Sequence, residues 1–152
     1  MGRYRKVIFV CMDNTCRSIM AEAVMNSVNK QHTVEVESRG LVVLFPEPMN
    51  PKAVAILKNY QMKPSRESSL ALQPSDVTVG TLVLTMTAYE CEQAKELLGP
   101  EAEVHTIGDF AGKPGDIGEP HGGTLAEYGA CYEYIDLMVK IAAEIIYRGE
   151  ES

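Results

Sequence analysis

The order of apolar and polar positions along the chain predicts strands that alternate with helices. Residues 7–10 form a short apolar run with β-branched members, which predicts a buried strand. From Ser18 onward apolar residues recur at helical spacing, and residues 33–38 alternate like a strand with one exposed face. Residues 81–85 predict another buried strand. Such alternation favours an α/β fold with a parallel sheet between helices.

The second half of the chain continues this alternation around one long irregular segment. Pro51 is well placed in the first turn of a helix, and residues 88–98 predict a further helix. Residues 104–107 predict a short fourth strand, and apolar positions three and four apart predict a long amphipathic helix over 125–146. Residues 108–123 hold six glycines and two prolines without periodicity, which predicts a loop. Loops this long in compact domains are usually functional.

The first predicted strand leads through a short turn into the first predicted helix. A strand that enters a helix in this way builds an anion site, because the free N–H groups and the helix dipole favour negative charge. Cys11 lies at the start of the turn and Arg17 at its end, where a guanidinium can bind two phosphate oxygens. We expect these groups to lower the pKa of Cys11 and make it a nucleophile. A structural Cys11 in the core with a surface Arg17 is the alternative.

Composition and charge limit the classes of function that the chain can have. With 152 residues, 45% hydrophobic, we expect one domain over residues 1–152. The net charge of −7 argues against nucleic-acid binding. No apolar run is long enough to span a membrane, and the basic residues at 3, 5 and 6 precede only four apolar residues, so we expect a cytoplasmic protein. The irregular spacing of four cysteines indicates neither a disulfide framework nor a metal site, and no cofactor is expected.

Residues 11–22 resemble the signature loop of the low-molecular-weight protein tyrosine phosphatases. The resemblance recurs at Ser38 and Gly40, at residues 82–87 and at residues 119–123. It therefore covers nearly the whole chain in the order of the family. It implies a three-layer α/β/α fold with a four-stranded parallel, flavodoxin-like sheet and a phosphate-binding loop after the first strand.

Four residues depart from the typical pattern of that family. Asp13 stands where the family has glycine, and Ile19 stands where it has proline. Glu119 keeps the carboxyl of the family's aspartate but is one methylene longer, and His121 replaces an aromatic ring that stacks on substrate. Asp13 adds negative charge near the site of a phosphate dianion. These departures concern catalytic strength more than fold or class.

The resemblance implies a cysteine-dependent protein phosphatase. Cys11 would attack phosphorus and form a phosphocysteine that water then cleaves, while Arg17 and the loop N–H groups hold the phosphoryl oxygens. A phosphorylated protein is the implied substrate and inorganic phosphate a product, and we expect a monomer that binds no membrane. The implied residues that bind phosphate and substrate are Met12, Asp13, Asn14, Thr15, Cys16, Ser18 and His121.

Three residues of the loop each have two interpretations. Ser18 can donate a hydrogen bond to the thiolate, or it can be the N-cap of the first helix. Asn14 can bridge the loop to Ser38, as in the family, or be a turn residue that tolerates a left-handed backbone. Cys16 can form a reversible disulfide with Cys11, as in the family, or be an inert packed thiol.

The preferred substrate and the general acid are also predicted from the resemblance. The bacterial protein arginine phosphatases carry threonine at the position of Thr15, where most members that act on phosphotyrosine carry isoleucine or leucine. Residues 84–87 and 122–124 also resemble that subgroup, so phosphoarginine is favoured; a packing role for Thr15 is the alternative. Glu119 matches the family's general acid, and Asp116 in the same loop is the second candidate.

Two other classes of function remain open from the sequence. An arsenate reductase would use the same phosphate-binding loop but needs two more thiols in one segment, whereas Cys91 and Cys131 are forty residues apart. We interpret these two cysteines as structural. A phosphate-binding regulatory module with little turnover is the other alternative, motivated by Asp13, Glu119 and His121.

Overall fold

A parallel sheet forms the centre of the protein in a computed structural model that describes residues 3–29 and 33–150. The sheet has four strands in the order β2-β1-β3-β4, and all neighbouring pairs are parallel. The predicted flavodoxin-like parallel sheet is therefore confirmed. The strands are β1 (Lys6–Cys11), β2 (Glu35–Gly40), β3 (Thr81–Thr85) and β4 (Glu103–Thr106).

Helices cover both faces of the sheet. Val7 and Phe9 of β1 belong to a core shared with α1, α2 and α5, whereas Ile8 and Val10 pack with Cys91 of α3 on the opposite face. Successive side chains of a strand point to opposite faces, so the fully apolar run of β1 is buried on both. The helices are α1 (Arg17–Val28), α2 (Pro51–Asn59), α3 (Ala88–Leu98), the short α4 (Ile107–Phe110) and α5 (Leu125–Glu150), with a 3₁₀ turn at Pro74–Asp76.

Several boundaries differ from the sequence prediction. The second strand lies at 35–40 instead of 33–38, and the fourth at 103–106 instead of 104–107. Ile107 is not a strand residue but begins α4, because the Thr106 hydroxyl caps the N–H of Asp109 and the Ile107 side chain enters the core. The irregular segment thus starts after this short helix and not at residue 108.

The C-terminal helix α5 confirms the predicted long amphipathic helix. Its buried face includes Tyr128, Tyr132 and Ile135, and it packs mainly against α1. Within residues 3–29 and 33–150, no helix has both the length and the apolar character needed to cross a membrane.

Candidate active site

Asn14 determines the shape of the loop between β1 and α1. Its backbone is left-handed, with φ of 61°, and its amide Nδ2 donates to Ser18 Oγ at 2.8 Å and to Ser38 Oγ at 3.1 Å. Its Oδ1 accepts from Arg66 Nη2 and from the Leu70 N–H, both at 3.0 Å. The bridge to Ser38 and the left-handed turn, offered as alternatives from the sequence, are both present. A buried side chain with four partners fixes the strained backbone of the loop.

Strand β2 supports this loop from the side. The Ser38 hydroxyl donates to Glu22 Oε1 at 2.7 Å, which ties β2 to α1. At Gly40 an added Cβ would lie 2.9 Å from the carbonyl carbon of Asp13 and 2.7 Å from Val43 Cγ2. Only glycine allows the loop and β2 to approach this closely.

Cys11 is the last residue of β1 and is fully buried beneath the loop. Its thiol donates to Ser18 Oγ at 3.0 Å, and its Sγ accepts from the Ser18 N–H at 3.4 Å. Because Ser18 Oγ already accepts from Asn14, its own hydrogen is available to a thiolate. The alternative role of Ser18 as N-cap is wrong, since α1 begins at Arg17 with Cys16 in the cap position.

The predicted low pKa of Cys11 is also wrong for this arrangement of side chains. Burial of the thiol raises the pKa of Cys11 above its ordinary value, although the charge of Arg17 and the hydrogen bonds from Ser18 lower it. Glu90, which the sequence analysis did not include, adds a nearby negative charge that raises the pKa of Cys11 further. Ionisation of Cys11 therefore depends on how the positive charge of Arg17 is shared between Cys11 and Glu90.

Arg17 is buried, so its interpretation as a surface residue is excluded. Its Nη2 lies 2.7 Å from Glu90 Oε2, and its Nη1 donates to the Ile117 carbonyl at 2.9 Å. Its Nε lies 3.3 Å from Glu119 Oε2 but makes no hydrogen bond with any described residue. This Nε–H is therefore a donor that remains for a phosphoryl oxygen.

Glu90 is a site residue that the sequence did not reveal. Its carboxylate accepts from the N–H groups of Met86 and Thr87 and completes a capping box with Thr87 at the start of α3. The same carboxylate holds Arg17, and burial raises the pKa of Glu90 despite that cation. The spacing Thr87-x-x-Glu90 was a visible signal of the cap, but nothing in it indicated the ion pair with Arg17.

The irregular segment after α4 brings one of the two candidate acids to the site. The Ile117 N–H donates to the Met86 carbonyl at 2.9 Å, which anchors the segment beside β3. Upstream of this anchor, Asp116 Oδ1 accepts from the Ala88 N–H at 2.9 Å and caps α3. Downstream of it, Glu119 reaches Arg17. The structure therefore places Glu119, and not Asp116, over the phosphate loop.

The side chain of Asp13 binds Thr15, two residues further along the loop. Its Oδ1 accepts from the Thr15 N–H at 3.1 Å and from the Thr15 hydroxyl at 3.0 Å. This is an Asx turn, and it uses one loop N–H that the sequence analysis expected to be free for an anion. The Thr15 hydroxyl accordingly points to a carboxylate.

His121 lies between two carboxylates at the mouth of the site. Its Nε2 is 3.4 Å from Asp13 Oδ2, and its Nδ1 is 3.5 Å from Glu119 Oε1. The mouth is a cavity of about 330 Å³, lined by Met12, Asp13, Arg17, Thr87, Tyr89, Glu90, Glu119 and His121. This lining holds three carboxylates and one guanidinium, and two of the carboxylates, Glu90 and Glu119, lie beside that guanidinium.

All four cysteines are free, and they are divided between the two faces of the sheet. Cys16 and Cys131 pack with the core that contains Cys11, whereas Cys91 lies with α3 on the other face. Burial raises the pKa of Cys16, and it raises that of Cys131 to about 11. Cys91 and Cys131 are thus separated by the sheet, which disfavours an arsenate-reducing relay through both. Among the described residues, no group of three or more His, Cys, Asp or Glu side chains could hold a metal ion.

A buried thiol and a buried guanidinium on a strand–loop–helix turn, at the carboxyl edge of a parallel sheet, define a cysteine-based phosphatase site. The model of the low molecular weight phosphotyrosine protein phosphatases matches residues 6–148. The chain belongs to this family.

Similar proteins agree with this assignment. A low molecular weight protein-tyrosine-phosphatase, PtpB, of Staphylococcus epidermidis is 30% identical over 138 residues, covering 90% of this chain and 96% of the relative. A solved low molecular weight protein tyrosine phosphatase from T. tengcongensis is 30% identical with a TM-score of 0.86, over 91% of this chain and 97% of the other. The YwlE arginine phosphatase from Geobacillus stearothermophilus is 29% identical with a TM-score of 0.86, over 95% and 94%.

Proposed function

We propose that this phosphatase hydrolyses phosphotyrosine or phosphoarginine in proteins through a phosphocysteine, with phosphoarginine preferred. The observation that carries the proposal is the placement of Cys11 Sγ beneath a loop that ends at Arg17, which lines the cavity and whose Nε–H has no hydrogen-bond partner among the described residues. A thiol and a planar cation at one anion site are the parts that phosphoryl transfer to sulfur requires. The similarity both to a named tyrosine phosphatase and to a named arginine phosphatase supports the two substrates.

In the first step, Cys11 Sγ attacks phosphorus in line with the leaving atom. The S–P bond forms as the P–O bond of phosphotyrosine or the P–N bond of phosphoarginine breaks, and the leaving atom takes a proton from Glu119. The thiol proton passes to an oxygen of the entering phosphoryl dianion, because burial favours the neutral thiol before substrate binds. Arg17 stabilises the charge on the equatorial oxygens.

In the second step, water attacks the phosphocysteine. The Glu119 carboxylate accepts a proton from this water, the S–P bond breaks, and the Ser18 hydroxyl donates to the departing thiolate. Inorganic phosphate is then released, and free Cys11 is restored. Glu119 lies 3.3 Å from Arg17 Nε, so a phosphoryl oxygen that binds Nε displaces its carboxylate toward the leaving atom.

The preference for phosphoarginine is attributed to Thr15 and Asp13 together. The Thr15 hydroxyl orients the Asp13 carboxylate, and this carboxylate lines the cavity through which the phosphorylated side chain enters. A guanidinium stem gains from a carboxylate at this place, whereas a phenol ring does not. Thr15→Ile should lower the ratio of kcat/KM for phosphoarginine to that for phosphotyrosine peptides by roughly tenfold. An unchanged ratio would reduce Thr15 to a packing residue.

The activity itself is tested with p-nitrophenyl phosphate. Cys11→Ser should abolish turnover but retain binding of a phosphate analogue, because a serine hydroxyl is far less acidic than a thiol and does not give up its proton to become the attacking nucleophile. Cys91→Ser is the matched control, since this buried thiol lies across the sheet and should leave turnover unchanged. Wild-type protein that binds phosphate but turns over neither this ester nor either phosphopeptide would instead be a regulatory phosphate-binding module.

Redox protection of Cys11 is a further part of the proposal. A sulfenic acid formed on Cys11 by mild peroxide would condense with the Cys16 thiol, releasing water and forming a disulfide that added thiols reduce. Since burial raises the pKa of Cys16, the condensation should quicken with rising pH. Peptide mapping should find the Cys11–Cys16 disulfide in wild type and sulfinic Cys11 in Cys16→Ser. Sulfinic Cys11 as the sole product in wild type would refute protection.

A further inference from the structure

A second cavity lies beside the catalytic one and shares part of its wall. It has a volume of about 310 Å³, and we call it the side groove; its lining is Met12, Leu41, Val42, Tyr89, Gln93, Glu96 and Leu97. Met12 and Tyr89 also line the catalytic cavity. The two cavities are therefore neighbours on the same surface, separated by shared side chains and not by a layer of protein.

Apolar side chains are unusually exposed along the side groove. Val42 is 55% exposed and Leu97 is 42% exposed, and the loop that carries Val42 continues with Leu44 at 88% and Phe45 at 62%. An isolated exposed apolar residue has no special meaning, but several that line or adjoin one cavity are typical of a binding surface. The polar groups of Gln93 and Glu96 complete the lining, as in sites that combine apolar contact with a few hydrogen bonds.

We propose that the side groove binds an apolar side chain of the substrate protein, located close in sequence to the phosphorylated residue. The proposal rests on the proposed function, because it assumes that the phosphorylated residue occupies the neighbouring cavity. An extended segment advances about 3.3 Å per residue, so a residue adjacent to the phosphorylated one can reach a cavity that shares a wall with it. Glu96 in the lining disfavours an acidic side chain at the same place.

The preference is measured with phosphotyrosine and phosphoarginine peptides in an alanine and glycine background. Leucine or serine is placed in turn at each of the two positions on either side of the phosphorylated residue. At one or more positions, leucine should raise kcat/KM about tenfold over serine, which is typical for burial of an apolar side chain in a pocket. Equal rates for leucine and serine at all positions would overturn the proposal.

Variants locate the preference in the side groove. Leu97→Ser and Val42→Ser should remove most of the leucine preference but leave the turnover of p-nitrophenyl phosphate unchanged, since this ester has no neighbouring residue. Leu137→Ser is the matched control for Leu97, because Leu137 is also a helical leucine, is 48% exposed and lies on α5 outside the side groove. A leucine preference that persists in both groove variants would overturn the proposal.

Binding to the Cys11→Ser variant separates this proposal from the proposed function. Fluorescence anisotropy of labelled phosphopeptides tests the side groove without any turnover. Tighter binding of the leucine peptides, lost on adding Leu97→Ser, supports the side groove even if wild-type protein proves inactive. Equal binding of leucine and serine peptides overturns the side groove even if wild-type protein hydrolyses both.

Discussion

Ser18 connects the Asn14 network to the nucleophile, and its effect on Cys11 can be isolated. Its hydrogen bonds lower the pKa of Cys11, so Ser18→Ala should raise that pKa further and lower kcat/KM, because the thiol then gives up its proton to the substrate less readily. Loss of one bond to a charged group costs about 1.5 kcal/mol, or roughly tenfold in kcat/KM at neutral pH. The pH profile with an aryl phosphate is the measurement. Ser27→Ala, farther along α1, is the control, and a kcat/KM profile of Ser18→Ala that matches this control would contradict the role.

Asp13 has two effects that different substitutions separate. Asp13→Asn keeps an oxygen that can accept from Thr15 but removes the charge, whereas Asp13→Gly removes both. Without that charge a dianionic aryl phosphate should bind more tightly, by about 1 kcal/mol or roughly fivefold in kcat/KM. The kcat/KM for phosphoarginine peptides should gain less or fall, because the guanidinium loses an attractive partner.

Steady-state kinetics of both substrates measures this effect of Asp13. Asp109→Asn changes the net charge by the same amount, but Asp109 is exposed and lies on α4. This variant therefore serves as the control for long-range electrostatics. If Asp13→Asn and Asp109→Asn have the same kinetics, the Asp13 carboxylate does not act on substrate.

Single residues show how far sequence could predict this site. Cys11 and Arg17 were predicted together, because their spacing lay between a buried strand and a helix start. The raised pKa of Cys11 was not predicted, since it depends on complete burial and on Glu90, which is 73 residues from Arg17 in the chain. Arg66 was missed for the same reason: its contact with Asn14 links distant segments and follows from no local pattern.

The segment between α4 and α5 is the element whose chemistry the structure clarifies most. Ile117 anchors it, Asp116 caps α3, and Glu119 lies over Arg17. We therefore expect Glu119→Gln to lower kcat for an aryl phosphate at least tenfold and to flatten the alkaline limb of the pH profile, as loss of a general acid does. Asp116→Asn keeps a cap acceptor for the Ala88 N–H and should leave kcat nearly unchanged.

These two variants are compared across pH with the same ester. A loss confined to Asp116→Asn would mean that this segment rearranges when substrate binds and exchanges the two carboxylates. Equal activity of both variants and wild type would show that the leaving group needs no acid from this segment.

The periodicity of apolar residues predicted the strands and helices well where these elements are buried on one face or on both. The strands and the long helices were predicted because their apolar patterns are strong and local. The ends of β2 and β4 were shifted because they depend on pairing with neighbouring strands. Helix α4 was missed because four residues are too few to show a period, and its start depends on the Thr106 cap.

At the scale of the whole molecule, the Arg17–Glu90 ion pair joins the two halves of the fold. Arg17 begins α1 on one face of the sheet, and Glu90 begins α3, which packs on the other face. Both side chains are 3% exposed, and Glu90 also accepts two backbone N–H groups at the end of β3. The pair therefore fixes the cation of the active site and connects both layers at the carboxyl edge of the sheet.

Removing one member of this pair should weaken the entire fold. Glu90→Ala leaves a buried guanidinium without its carboxylate and two N–H groups without an acceptor, which should cost about 3 kcal/mol or more in the free energy of unfolding. Urea denaturation followed by far-UV circular dichroism measures this cost, with a lower midpoint at an unchanged slope. Glu92→Ala, an exposed residue of the same helix, controls for helix propensity and net charge. If both variants unfold within about 0.5 kcal/mol of each other, Arg17 is stabilised chiefly by Ile117 and solvent, and the pair does not hold the two layers together.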